Sequence, residues 1–294
     1  MSEDTNLSTP PPFRPAADLS IDTAVTQLAK APGWYSADLS PSWNFRTPNG
    51  GVLMTIALRA MQAELNDPEF RPRSAGTLFL SPVPHGPMEI RVEVLRKGGI
   101  AAQLRAALSS TAVPGPGLEV SAVFTRDHHG PEFTWATPPK VTDPQPDIRA
   151  REHKIGGQCP NFAHNFDQAI GCGPDIWTPG FAPTGEALSG RWFRYIIPQQ
   201  LAGKELDPLA LPPIMDHMPS AIWAYDGHDP ASYAPSLDLT VHFLADTTAD
   251  WLLLLNSSRR AHAGYATADV EVWGDNELVA YGTQTMMFRK APAE

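Results

Sequence analysis

Between residues 49 and 65 the apolar positions stop respecting any single face. Val52, Leu53, Met54, Ile56, Ala57, Leu58, Ala60 and Met61 cover nearly the whole circumference of a helix, and polar character returns only at Gln62 and Glu64. A helix that is apolar all round has to be buried all round. Downstream the period shortens to two. In MEIRVEVLRK, Met88, Ile90, Val92 and Val94 alternate with Glu89, Arg91 and Glu93; in LEVSAVFT, Leu118, Val120, Ala122 and Phe124 share one face. Alternation with one wet face marks antiparallel strands, so the first half predicts a curved antiparallel sheet wrapped around a buried helix.

The same programme is repeated in the second half. Asp207 as cap and Pro208 at the first helical position open a second mostly apolar helix that runs past Asp216 to about Tyr225-Asp226. Pro212, Pro213 and Pro219 fall inside it and predict a kink or a break. Strands return in SLDLTVHFLA, in ATADVEVWGD and, after a Gly274-Asp275-Asn276 turn, in ELVAYGTQTMMF. SGRWFRYII (189–197) reads as a strand in the place that Trp34–Phe45 holds in the first copy. A short helix is expected over Ser20–Lys30, ended by Pro32-Gly33, and another within NFAHNFDQAIG. The divisions that follow are a disordered tail over 1–17, a first unit over 18–130, a crossover over 131–188 and a second unit over 189–294.

Composition narrows the function classes. The 31 prolines, about twice ordinary usage, cluster in loops and in the crossover rather than in a repeat. A net charge of −10 with no basic stripe excludes the phosphate-neutralising surface of a nucleic-acid protein, while leaving room for a small anionic ligand met by a few local arginines. No signal peptide opens the chain, and no apolar run reaches the length of a membrane span. Cys159 and Cys172, both in the crossover, fit a reducing cytosol better than a disulfide. His128-His129 and the other histidines lack metal-ligand spacing. Phosphate-loop, dinucleotide and nucleophile-elbow signatures are absent too. The expectation is a cytoplasmic protein without metal or cofactor.

Three residues break the apolar pattern of the second half. Asp216 stands among apolar neighbours in IMDHMP, where burial would raise its pKa and poise it as a base; a helix-surface Asp is the plainer reading. Gln284 falls on the strand face of Leu278, Ala280, Gly282, Met286 and Phe288, where a buried amide needs a partner; that partner is backbone in the plainer reading. Ser236 follows Pro235 at a strand entry and is equally compatible with a turn serine. In the first half, Asn49-Gly50-Gly51 precedes the buried helix, whose free N–H groups suit an anion or a developing oxyanion; the glycines equally admit the close approach of another backbone.

Taken together, WYSADLSPSWNFRTPNGGVLMTIALRAM, LFLSPVPHGPMEIRVEVLRKG, LALPPIMDHMPSAIW, SLDLTVHFLAD and YGTQTMMFR resemble the acyl-CoA thioesterase II-like family of double hotdog proteins, over roughly residues 18–126 and 160–290. The resemblance implies an α+β double hotdog, with two antiparallel sheets each wrapped around a long central helix. It also implies a water held by an Asp, a Ser or Thr and a Gln, positions that fall on Asp216, Ser236 (with Thr240 as the fallback) and Gln284. The family's His-Gly-Gly is Asn-Gly-Gly here. The implied chemistry is hydrolysis of an acyl-CoA by water with Asp216 as base and the oxyanion met by N–H groups of Gly50 or Gly51. Arg96, Lys97, Arg259 and Arg260 are the candidates for the CoA phosphates. Acyl-CoA is the expected partner, without nucleic acid or membrane, and the chain is expected to form a homodimer or higher homo-oligomer. The alternatives are a non-catalytic acyl-CoA-binding hotdog and an enoyl-CoA hydratase-like hotdog; the latter would need a His about five residues after the Asp, where this chain has Ala221.

Overall fold

The computed structural model describes residues 16–29, 31–144, 160–176, 180–217, 219–227 and 232–290. The expected tail over 1–17 therefore lies almost wholly outside the described residues, as does Cys159. In chain order the elements of the first half are α1 (Leu19–Asp22), β1 (Thr26–Gln27), β2 (Trp34–Leu39), α2 (Gly50–Leu65), β3 (Arg71–Phe79), β4 (Gly86–Lys97), β5 (Ala101–Ser110) and β6 (Leu118–Thr125). Those of the second are β7 (Phe166–Cys172), β8 (Leu188–Tyr195), α3 (Leu211–Met215), α4 (Pro219–Asp226), β9 (Ser232–Tyr233), β10 (Asp238–Phe243), β11 (Leu252–His262), β12 (Tyr265–Gly274), β13 (Glu277–Met287) and β14 (Arg289–Lys290).

Among the described residues, twelve strands form one antiparallel sheet in the order β1-β2-β4-β5-β6-β3-β10-β13-β12-β11-β8-β7. Read from the centre outward, the two halves mirror each other: β3 answers β10, β6 answers β13, β4 answers β11 and β2 answers β8. The two expected sheets are thus joined edge to edge where β3 pairs with β10, Thr240 lying opposite Gly76 and Asp238 opposite Leu78. Joining them removes two open edges, each a row of unpaired backbone groups.

The first half follows its pattern closely. Eleven of the sixteen residues of α2 are buried, Thr55 included, and Thr55 satisfies its hydroxyl on the Leu209 carbonyl at 2.8 Å. Asn49 caps the helix, its Oδ1 accepting from Val52 N–H at 2.9 Å, and Asn66 ends it in the left-handed region. Around it β4 turns Met88, Ile90 and Val92 inward and β5 turns in Ala102, Leu104, Ala106 and Leu108. At the start of the chain the expected helix over 20–30 shrinks to four residues. Asp18 takes the cap by accepting from Ser20 N–H, Thr23 folds its hydroxyl back on Leu19 O, and Thr26–Gln27 pairs with β2 instead. Beta-branched Val25 and Thr26 favour that outcome.

The second helix is broken rather than long. Pro208–Ala210 form one turn of tight helix, α3 follows, and α4 restarts at Pro219. Pro208, Pro212 and Pro213 sit in first turns, where no N–H is required of them, and Pro219 cannot supply the N–H that a continuous helix would need. The interruption leaves Asp216 as the C-cap of α3, with φ −78° and ψ 50°. The expected helix in NFAHNFDQAIG is helical only over Asn161–Asn165; Phe166 onward is β7, the outermost strand, tied to β8 by Asp167 and Arg194 at 2.7 Å.

Candidate active site

The junction between the halves is set by a close approach. A Cβ on Gly51 would stand 2.0 Å from the Pro212 carbonyl oxygen, and one on Gly50 would stand 2.6 Å from the Phe79 ring and 3.0 Å from Asp216 Oδ2. Only glycine lets the start of α2 lie against the end of α3 in this way. Arg59 of α2 adds a second tie between the halves by donating to Asp207 Oδ2, ahead of α3, at 2.7 Å, and its other contact, to Thr23 Oγ1 at 2.7 Å, stays within the first half.

The three pattern breakers meet here. Ser236 donates its hydroxyl to Asp216 Oδ1 at 2.9 Å, and Gln284 Nε2 donates to the same oxygen at 2.5 Å and to Ser236 Oγ at 2.8 Å. On the other side Gly50 N–H donates to Asp216 Oδ2 at 2.8 Å. Backbone register brings this about: Gln284 faces inward from β13, where it is 1% exposed, and Ser236 bridges Met286 just before β10. Thr240 lies within β10 opposite Thr283 and Gly76, so Ser236 is the hydroxyl in contact with the carboxylate.

Asp216 keeps some surface toward a cavity while its carboxyl group is enclosed. Burial pushes that carboxyl above its ordinary value of 3.8, against the pull of hydrogen bonds from Gln284, Ser236, Gly50 and Gly51. The N–H groups of Gly50 and Gly51, expected to meet an oxyanion, are therefore turned to the Asp216 carboxylate in this structure. The anion at the helix start is the protein's own. Two polar atoms nearby stay buried without a partner among the described residues: Gln284 Oε1 and Asn49 Nδ2.

The cavity has a volume of about 630 Å³ and is lined from both halves, by residues 45–50, Leu53 and 79–83 on one side and by Asp216, His217, Ser220, Trp223, Arg191 and Asn256 among those on the other. His217 packs in an aromatic box, its ring 5.2–5.3 Å from those of Phe45, Phe162 and Phe193. None of the four cations expected at the CoA phosphates lines this cavity. Lys97 donates to Leu65 O at 2.9 Å, at the far end of a sixteen-residue helix whose start is at the site, a separation of about 24 Å at 1.5 Å per residue. Arg96 neighbours it on β4, and Arg259, 89% exposed, leans toward Asp269 from β11 beside Arg260. The arginines that do line the cavity are Arg46, Arg191 and Arg289. Sequence offered one signal for Arg191, its alternation with Phe193 and Tyr195 on the inward face of β8. It offered none for Arg46, in a short connection, or for Arg289, in the two-residue strand β14.

Metal-ligating groups are not clustered among the described residues, and no helix among them is long and apolar enough to cross a membrane. Cys172 is a free, half-buried thiol whose pKa burial pushes up.

Family models for the acyl-CoA thioesterase N-terminal domain and C-terminal domain match residues 39–126 and 136–288. Among solved structures, a conserved protein of unknown function with a hot dog fold from Alicyclobacillus acidocaldarius superposes with a TM-score of 0.75 at 20% identity, covering 94% of this chain and 98% of the other. The acyl-CoA thioesterase II TesB2 from Mycobacterium marinum superposes with a TM-score of 0.71 at 22% identity, covering 94% of this chain and 99% of the other. No curated protein sequence matches. The architecture is accordingly a double hotdog, with the two units' sheets fused through β3 and β10.

Proposed function

Because the chain belongs to the acyl-CoA thioesterase family and is a thioester hydrolase, we propose that it cleaves an acyl-CoA to the free acid and CoA by direct attack of water, with Asp216 as general base. The observation that carries this reading is the convergence of Ser236, Gln284 and the start of α2 on one enclosed carboxylate. Water entering from the cavity displaces the Gln284 amide from Asp216 Oδ1, gives one hydrogen to that oxygen and directs the other to the unpartnered Gln284 Oε1. Ser236 holds the carboxylate's orientation. As oxygen attacks the thioester carbon, Asp216 accepts the proton, the carbonyl oxygen gains charge and CoA leaves as the thiol once a proton reaches its sulfur.

Gly50 and Gly51 face Asp216, so the donor assigned to the carbonyl oxygen is the Asn49 amide, which stands where the family's His is expected. It is 2% exposed and lines the same cavity. A preorganised donor of this kind lowers a barrier by about 3–4 kcal/mol. Arg46 and Arg289, at the rim, are assigned to the CoA phosphates. The enzyme is proposed to work in the cytosol as a homo-oligomer. The hydratase reading loses support from position 221, which is Ala where that chemistry needs a His, while the His217 ring packs among Phe45, Phe162 and Phe193. Thiol release from a series of acyl-CoAs tests the proposal: Asp216→Asn, folded by circular dichroism, loses turnover, and full turnover in that variant removes Asp216 from the base role.

A further inference from the structure

The cavity wall contributed by the second half carries a polar patch among apolar side chains such as Ile176, Phe193 and Leu237. Along the inward face of β11, Leu252 and Leu254 are followed by Asn256, which is 2% exposed. Its Nδ2 donates to Ser220 Oγ of α4 at 3.0 Å, and its Oδ1 is buried with no partner among the described residues. Whichever way the amide is turned, one of its polar atoms is left unengaged, which is unfavourable for a buried group. Beside it on β8, Arg191 is 6% exposed. Its guanidinium donates to Gln168 Oε1 at 3.2 Å and lies 3.6 Å from Asp175 Oδ1. Asn256, Ser220 and Arg191 all line the cavity that also holds Asp216.

The mirrored strands of the first half turn in Met88, Ile90 and Val92 on β4, and Ala37 and Leu39 on β2 beside Tyr35, whose hydroxyl is taken up by Glu64 at 2.7 Å. At the mirrored places the second half carries an amide, Asn256, and a guanidinium, Arg191, instead. The charge of this polar set is balanced, since Asp175 accompanies Arg191, so a second carboxylate on the ligand would find no net positive charge. A neutral group that both gives and takes a hydrogen bond fits best, giving to Asn256 Oδ1 and taking from Ser220. Register fixes its place. Asn256 lies opposite Val270, which lies opposite Gly282, two residues before Gln284 on β13. Two strand spacings, roughly 10 Å, separate the polar group from the strand that carries the catalytic amide.

Resting on the hydrolase reading above, we infer that the preferred acyl group carries a hydroxyl remote from the thioester, seated between Asn256 and Ser220. The test compares medium-chain acyl-CoAs with their ω-hydroxy and ω-carboxy counterparts of equal length, by thiol release with the wild type and by calorimetric binding to Asp216→Asn. The wild type is expected to favour the ω-hydroxy form over the plain chain by about tenfold or more in kcat/KM at one length at least, as one satisfied buried hydrogen bond warrants, and over the ω-carboxy form as well. Asn256→Leu, which keeps the branched outline and removes the unpaired amide, is expected to fold and to reverse the preference toward the plain chain. Equal turnover of plain and hydroxylated chains, a preference for the ω-carboxy form, or an unchanged ratio in Asn256→Leu overturns the inference and leaves the hydrolase standing. Tighter binding of the hydroxylated chain to Asp216→Asn, with no thiol released by the wild type, supports the seat and overturns the hydrolase instead.

Discussion

In the first half an unbroken sixteen-residue helix, α2, is sealed inside a sheet face of Met, Ile, Val, Leu and Ala. In the second half the helix in the mirrored place is interrupted at Asp216, and the sheet around it turns Gln284, Asn256, Arg191 and Gln168 inward. The first arrangement keeps its backbone hydrogen bonds unbroken between the two helix ends and gains mainly from apolar burial. The second gives up helix continuity, which frees a carboxylate to face the start of α2, and spends core positions on polar side chains that need partners. Duplication thus leaves one unit with a largely apolar core while the other brings its polar groups to the junction between them. Each half supplies what the other lacks: α2 contributes its N-terminus, and the α3 break contributes the anion that meets it.

The sharpest way to break this contrast is at Asp216. Its Asn variant is expected to lose about 10²–10⁴-fold in kcat, the usual contribution of a positioned general base. In the wild type kcat/KM is expected to rise with pH through an inflection above 3.8, because burial lifts the carboxyl and only its ionised form accepts a proton. Stability has the opposite sign. With the folded pKa above the unfolded one, the folded state holds the extra proton, so the contribution of Asp216 is fully present below 3.8 and is lost as pH rises through the folded value. The stability gap between wild type and Asp216→Asn is therefore expected to move in the wild type's favour as the solution is acidified, measured by urea denaturation at several pH values. A gap moving the other way means that the donors outweigh burial.

A second comparison exchanges the character of the two walls. Ile90→Asn on β4 places an unpartnered amide in the sealed half and is expected to cost on the order of 3 kcal/mol or more, from lost burial plus an unsatisfied polar group. Asn256→Leu, the reverse change on the mirrored strand, is expected to fall within about 1 kcal/mol of wild type because it removes an amide already half unsatisfied. Equal costs at the two positions would show that the polar wall is as structurally committed as the apolar one.

The contact between the halves gives a smaller effect. Gly51→Ala forces a Cβ toward the Pro212 carbonyl and is expected to destabilise by about 1–3 kcal/mol, the range for overpacking. Gly99→Ala, with nothing within 4 Å of the added atom, is expected to be near neutral. Thermal unfolding of the pair checks both. If Gly51→Ala is neutral, α2 and α3 can separate without loss, and the site does not depend on their close approach.

Much of this contrast could be read from residues alone, and the parts that could not share a cause. Asp216 and Gln284 were legible because each stands in a row whose other members are apolar, and the break after Asp216 because Pro219 cannot continue a helix. β5 was not, since AAQLRAALSS is written in good helix formers and only its alternate burial of Ala102, Leu104, Ala106 and Leu108 reveals a strand. β3 hides behind Pro72 and Gly76, and β11 opens on four leucines with no alternation at all. Arg46, Arg191 and Arg289 were missed, and Arg96, Lys97, Arg259 and Arg260 preferred, for a different physical reason. Which charges meet a cavity depends on how two sheets join, and that is settled by the pairing of β3 with β10, far in sequence from all seven.

The smallest expected effect follows from that last point. Arg46 and Arg289 stand at the cavity rim, Arg46 with its guanidinium 5.6 Å from the centre of the Tyr233 ring. A single charge meeting a phosphate near water is worth about 1 kcal/mol at 4 Å, so Arg46→Ala or Arg289→Ala is expected to raise KM for acyl-CoA about fivefold while leaving kcat nearly unchanged. The effect should shrink with added salt as screening shortens the reach of the charge, and it should vanish for acyl thioesters of short thiols that lack phosphates. Arg259→Ala and Arg260→Ala, on an exposed stretch of β11 away from the cavity, are expected to leave KM and stability unchanged, since exposed pairs such as Arg259 with Asp269 contribute little. Steady-state kinetics of the four variants at low and moderate salt separates the two sets. A KM rise confined to the β11 variants would put the CoA head on the opposite surface, and the cavity rim would then serve the acyl group alone.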